Sequence, residues 1–162
     1  MKTLTDMIKK CLCIAISVAF TQLPEAQILV SNTFAGGTNN AGTIGKYSGD
    51  TKQLTVLESL GGPGTAPACG LTQANDGKLY GMTVTGGVNN FGGIFSFDPA
   101  SGTYTDLKSL ADLDGRYPTG SLLQASDGRL YATTNGGSGD NNGILFSFDP
   151  ASSTCTNSSA PA

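Results

Sequence analysis

Histidine and tryptophan do not occur in this chain of 162 residues. Without histidine the commonest general base is missing, and with it the usual nucleophile–His triads and most zinc sites. Charge is scarce as well: Asp, Glu, Lys and Arg make up 13% of the residues, and the formal net charge is −3. No basic patch is available to meet a phosphate backbone, which argues against a nucleic-acid partner. Long apolar runs are also missing. The most apolar stretch, Cys11–Phe20, has ten residues, whereas a helix needs about 20 to cross a bilayer. Cysteine is thin: of four, only Cys69 and Cys155 lie beyond that stretch. Two thiols cannot form a metal-binding thiolate cluster, and their spacing does not decide whether they pair or stay free.

What is present in quantity is glycine, 23 residues, together with Asn, Ser and Thr. That composition suits many short strands joined by tight turns. The start of the chain differs. Lys2, Lys9 and Lys10 precede the apolar stretch, and "TQLPEAQ" with the small Ala26 follows it. This three-part layout is that of a secretory signal over residues 1–26, with a buried core helix as the alternative. The mature chain is then secreted or held at the cell surface, with no membrane span. It carries six basic and ten acidic residues.

The rest of the chain repeats itself. "QANDGKLYGMTVTGG" (Gln73–Gly87) returns as "QASDGRLYATTNGG" (Gln124–Gly137), and "FSFDPAS" (Phe95–Ser101) returns at Phe146–Ser152, 51 residues on. "LTVLESL" (Leu54–Leu60) returns as "YTDLKSL" (Tyr104–Leu110) at an offset of 50. Each unit reads as four strands. The first runs over Leu71–Ala74 or Leu122–Ala125. Asp76-Gly77 or Asp127-Gly128 then reverses the chain, because Gly accepts positive φ without steric cost and Asp tolerates it. The second strand is Leu79–Thr85 or Leu130–Asn135. A Gly/Asn loop leads to the third, Ile94–Phe97 or Ile144–Phe148. There Phe95 and Phe97 share a face because they are two apart. Asp98-Pro99 or Asp149-Pro150 turns into the fourth, Thr103–Leu110. Cys69 and Cys155 stand outside this pattern. Four short strands in a unit of about 50 residues match the period of a β-propeller blade.

"SLLQASDGRLYATTNGG" followed by "GILFSFDPAS" resembles the tandem repeats of choice-of-anchor GloVer-containing proteins, the Gloeo/Verruco repeat. The resemblance covers residues 28 to 156. It implies an all-β, propeller-like fold in a bacterial exported protein at the surface or outside the cell. It implies no catalytic residue.

The expected fold is therefore all-β: β-propeller-like, tandem four-stranded blades, about two and a half repeats of ~50 residues, forming an incomplete ring. The organisation reads as a signal peptide over residues 1–26, a partial first repeat over 27–60, a second over 61–114, a partial third over 115–156 and a degenerate tail over 157–162. The first unit is expected to lack its first strand. The third is expected to lose its last strand after Thr156, where Ser158 falls on Leu107. A blade face spans about 350 Å², and an array of this length leaves its end faces open. The chain then reads as a piece of a longer repeat protein, or as one that self-associates through those faces.

No residue is assigned a catalytic, cofactor-binding or metal-binding role. Asp76, Asp98, Asp127 and Asp149 recur at turn positions and read as structural. Asp50 and Glu58 read as turn and strand-surface residues. Asp112 and Asp114 in "ADLDGR", and Asp140 in "SGDNNG", are the acids outside the pattern. Hard cations take carboxylates and carbonyls, but neither segment has the calcium-loop spacing. "GGVNNFGG" has glycine-rich phosphate-loop character without a following helix. Tyr80 and Tyr131 recur at one strand position, suited to packing between units or to stacking on a sugar. The function expected is a non-enzymatic, exported binding, adhesion or scaffold module. Its partner is unknown, with a carbohydrate or a surface protein as the candidates. The alternative is a piece of a carbohydrate-active propeller enzyme built on paired carboxylates.

Overall fold

The Asp-Gly turns reverse the chain as expected. Gly77 and Gly128 both sit at φ 82, a conformation that a side chain would strain. Around them the computed structural model describes residues 19–23, 26–60, 64–67, 69–137 and 142–158. Residues 1–18 and 24–25 of the expected signal segment, Asp140, and the end of the expected tail lie outside the described residues.

The first sheet is an antiparallel meander of β1 (Ala19–Leu23), β2 (Ala26–Thr33), β3 (Thr43–Ser48) and β4 (Gln53–Ser59). A two-residue link strand, β5 (Gly64–Thr65), follows. The second sheet contains β6 (Thr72–Gln73), β7 (Leu79–Thr83), β9 (Gly93–Asp98) and β10 (Thr103–Ser109), and the short β8 (Thr85–Gly86) pairs back with β5. A 3₁₀ turn at Asp112–Asp114 and the link strand β11 (Arg116–Pro118) lead onward. The third sheet contains β12 (Leu123–Gln124), β13 (Leu130–Gly136), β14 (Leu145–Asp149) and β15 (Thr154–Asn157). Registers repeat between units: Leu29 faces Tyr47, Leu79 faces Phe97, and Leu130 faces Phe148.

Two differences from the expected strand count stand out. The first sheet has a fourth strand, β1, taken from the segment read as a signal, with Ala19 opposite Val30. The third sheet keeps a last strand where the side-chain pattern fails: β15 pairs Phe148 with Cys155 and Phe146 with Asn157. The ladder is made by backbone groups, so Thr154, Cys155 and Thr156 form it without the Tyr/Leu pattern, although β15 has four residues against seven in β10.

The three sheets stack face to face. Val30, Ile44 and Leu60 of the first pack on Leu79, Phe95 and Phe97 of the second. Tyr80, Met82 and Ile94, on the opposite face of the second sheet, pack on Leu130, Phe146 and Phe148 of the third. The middle sheet is thus buried on both sides, and every residue of β7 is buried. Burying two faces explains why β7 and β9 read as apolar without clean alternation.

Loops at one end of the stack copy one another. The Thr43, Gly93 and Ile144 N–H groups donate to Oγ1 of Thr33, Thr83 and Thr134 at 3.0, 3.0 and 3.2 Å. The Gly36 and Gly86 N–H groups donate to Oδ1 of Asn40 and Asn90 at 3.1 and 2.9 Å. Each link then ties back to the preceding unit, with Ala66 N–H donating to the Ala41 carbonyl and Tyr117 N–H to the Phe91 carbonyl. Pro67 and Pro118, next in each link, press on Gly42 and Gly92.

Gly92 has φ +93, and a β-carbon there would collide with the Thr83 carbonyl, whereas Gly77 faces open space. Gly77→Ala should cost about 1–2 kcal/mol from backbone strain alone. Gly92→Ala should cost at least about 2 kcal/mol more, because backbone must move. Urea unfolding of the two variants side by side measures the gap; equal losses would contradict the packing described.

Candidate functional site

Two turns, one from the second sheet and one from the third, open onto a shared cleft of about 690 Å³. Each turn is built in the same way. One carboxylate oxygen of Asp76 accepts the Lys78 N–H at 3.1 Å, and that of Asp127 accepts the Arg129 N–H at 3.0 Å. The other oxygen accepts a tyrosine hydroxyl: Tyr80 on Asp76 at 2.7 Å and Tyr131 on Asp127 at 2.8 Å. The carboxylate thereby closes the turn and pins the following strand. Neighbouring units are joined across the cleft by Gln124, whose amide oxygen accepts the Asn75 N–H at 2.8 Å while its amide nitrogen donates to the Gly128 carbonyl at 3.0 Å. Thr72 Oγ1 donates to the Leu122 carbonyl, and the Gly70 N–H donates to Ser121 Oγ at 3.0 Å.

The third carboxylate of the cleft, Asp149, caps the turn between β14 and β15. It accepts the Ala151 N–H at 2.9 Å and the Ser152 hydroxyl at 2.9 Å. Its counterpart Asp98 accepts the Ala100 N–H at 2.8 Å. These bonds favour the ionised form. The Tyr131 hydroxyl and then the Arg129 N–H hold Asp127 below the ordinary carboxylate range. Asp98 and Asp149 are lowered chiefly by the Ala100 and Ala151 N–H groups. Tyr80 is raised, first by burial and then by its bond to Asp76. Lys78 and Arg129 also line the cleft, and the Arg129 guanidinium reaches Ser147 Oγ at 3.1 Å and Thr156 Oγ1 at 3.2 Å. The arrangement offers hydrogen-bond donors and acceptors of both charges.

The other residues singled out in the sequence fall elsewhere. Tyr80 is 3% exposed within the core between the second and third sheets, so its ring packs between units and cannot stack on a sugar. Tyr131 holds the same position on the far face of the third sheet and is half-buried. Asp114 pairs with Lys108 at 3.1 Å, and Asp112 with Arg116 at 2.8 Å; each carboxylate is matched by a cation of its own chain. Among the described residues no group of three or more His, Cys, Asp or Glu side chains could hold a metal ion. The glycine-rich loop closes on itself, with Gly92 N–H on the Gly86 carbonyl and Gly86 N–H on Asn90. Cys69 and Cys155 are free. Sequence reasoning missed Gln124 as the tie between units and the threonine at the foot of each loop; the signal was there, since Gln recurs at 73 and 124 and Thr at 33, 83 and 134.

Burial pushes the Cys69 thiol up to about 11, and burial with the nearby Asp114 carboxylate pushes Cys155 up to about 12. Both thiols should react slowly with an aromatic disulfide at pH 8 and rapidly in denaturant. The raised thiols and Tyr80 favour the fold below their unfolded values, from about 8.5 for cysteine, and that contribution is lost as pH rises. The lowered Asp98, Asp127 and Asp149 favour it above about 3.9, and that contribution is lost on acidification. The urea midpoint should therefore be flat between about pH 5 and 8 and fall on both sides; a midpoint still rising above pH 9 would count against these shifts.

Among the described residues no helix is long and apolar enough to cross a membrane. No curated protein matches the chain. Of solved structures, the extracellular domain assigned to a hybrid two-component system of B. thetaiotaomicron is similar in fold, with a TM-score of 0.51 at 12% identity. The similarity covers 85% of this chain and 16% of that one, so the chain spans about a sixth of that protein's length. The recurring turns, loop threonines and paired phenylalanines agree with the sequence comparison, in which the Gloeobacter/Verrucomicrobia repeat matches residues 23–159, and the chain belongs to that repeat family.

Proposed function

We propose that this chain is an exported, non-enzymatic binding or scaffold module of the β-propeller type, and that the cleft between the second and third sheets holds a polar ligand of the carbohydrate class. Three antiparallel sheets of four or five strands, stacked through both faces of the middle one, support the propeller reading. The extracellular setting of the structural neighbour supports export, in line with Lys2, Lys9 and Lys10 ahead of an apolar run; removal of residues 1–26 would take β1 and leave β2, β3 and β4 in the first sheet. The observation that carries the non-enzymatic part is the state of the cleft acids. Asp127 and Asp149 are lowered by bonds that also shape the turns, so neither is suited to give up a proton as a general acid. The groups that remain suit recognition of hydroxyls: the Lys78 ammonium, the Gln124 amide and the carboxylate edges.

Glycan-array screening of the purified chain, followed by calorimetry on a retained oligosaccharide, tests this reading. Lys78→Ala should weaken binding about tenfold or more, or about 1.4 kcal/mol, while leaving the urea midpoint in place. Release of reducing sugar from any retained glycan would instead establish the alternative, a carbohydrate-active propeller enzyme. Retention of no glycan would exclude the carbohydrate ligand.

A further inference from the structure

The outer face of the first sheet is the same face that, on the second and third sheets, packs against the preceding unit. Leu29, Gly45 and Tyr47 hold the registers of Leu79, Phe95 and Phe97, and beside them Leu54 and Val56 are 57% and 54% exposed. Gly45 stands where the second sheet has Phe95, which leaves an apolar hollow of about 170 Å³ lined by Leu29, Tyr47, Leu54 and Val56. The outer face of the third sheet is the complementary kind. Tyr131 and Leu145 hold the registers of Val30 and Ile44, the residues that cover Phe95 within the chain. Leu145 and Leu123 on that face are 44% and 69% exposed. The free ends offer Tyr131 on one face and a hollow at Gly45 on the other.

We infer that two copies of this chain close into one ring, with the third sheet of each seated on the first sheet of the other. Areas and counts favour this occupant. A sheet face spans about 350 Å². A single such contact would bury about 700 Å² in total, the range of incidental contacts, whereas the two contacts of a closed dimer bury about 1,400 Å², the range of specific interfaces. Each chain brings three stacked sheets, of four, four and five strands. Two copies together bring six stacked sheets, within the four to eight blades of a closed propeller. The contact joins unlike faces, so it either closes or grows into an open chain; two-fold closure covers Leu54 and Val56 on one face and Leu123 and Leu145 on the other, where Arg129 lies across Ser147 and Thr156. The inference rests on the propeller reading above, but association is measured without ligand, so failure here leaves cleft binding to its own assay.

Light scattering on the full chain, from low to high micromolar concentration, should give a species of twice the chain mass that does not grow further. Leu54→Lys on the first sheet and Leu145→Lys on the third should each give a folded monomer, with the dissociation constant weakened at least a hundredfold. Both positions are solvent-exposed within one chain, so the urea midpoint measured at the lowest protein concentration should barely move. A wild-type monomer would overturn the inference, as would growth beyond the dimer. A dimer broken by Leu54→Lys but untouched by Leu145→Lys would mean like face on like face, and would overturn it too.

Discussion

The constraint behind this structure is that a four-strand sheet of short strands is not stable by itself and must bury a face against a neighbour. Here the neighbour is the next repeat. Phe95 and Phe97 project from one side of β9 while Ile94 projects from the other, so a single strand serves two interfaces. The glycines follow from the same need. Gly81 leaves room for the Phe95 ring, which a β-carbon would strike. Where Phe95 has no counterpart, at Gly45, the sheet has no preceding unit within the chain, and the hollow results.

Hydrogen bonding between units is as repetitive as the packing. The turn aspartates, the loop threonines and the asparagines satisfy backbone donors that a tight loop would otherwise leave unpaired. Gln124 and Thr72 then join adjacent units across the stack. Because these residues hold shape, their recurrence says little about ligand choice. The units differ instead in what surrounds the repeated turns. Lys78 and Arg129 share one register position, and Val88 at a loop tip is 86% exposed.

The same hydrogen bonds that shape the cleft set its chemistry. A carboxylate that accepts a backbone N–H and a hydroxyl stays ionised well into acid, which suits recognition and opposes proton donation. One set of residues thus shapes the turns and lines the cleft: Asp127 closes a turn, pins Tyr131 and borders the opening.

Much of this could be read from the sequence. Asp-Gly reports a turn because few other pairs reach its backbone angles, and Phe95 and Phe97 report a buried face because side chains alternate along a strand. These are local signals, and they located the turns and the inner strands of each unit to within a residue or two. The ends of the array were misjudged. β1 and β15 are held by backbone ladders to β2 and β14, and a ladder does not depend on a repeating side-chain pattern. The cleft was invisible for a related reason: Asn75 and Gln124 are 49 residues apart, and only stacking brings them together. Local residue chemistry therefore settled the unit, while long-range packing decided how units meet, which carboxylates share a cleft and which apolar faces remain open.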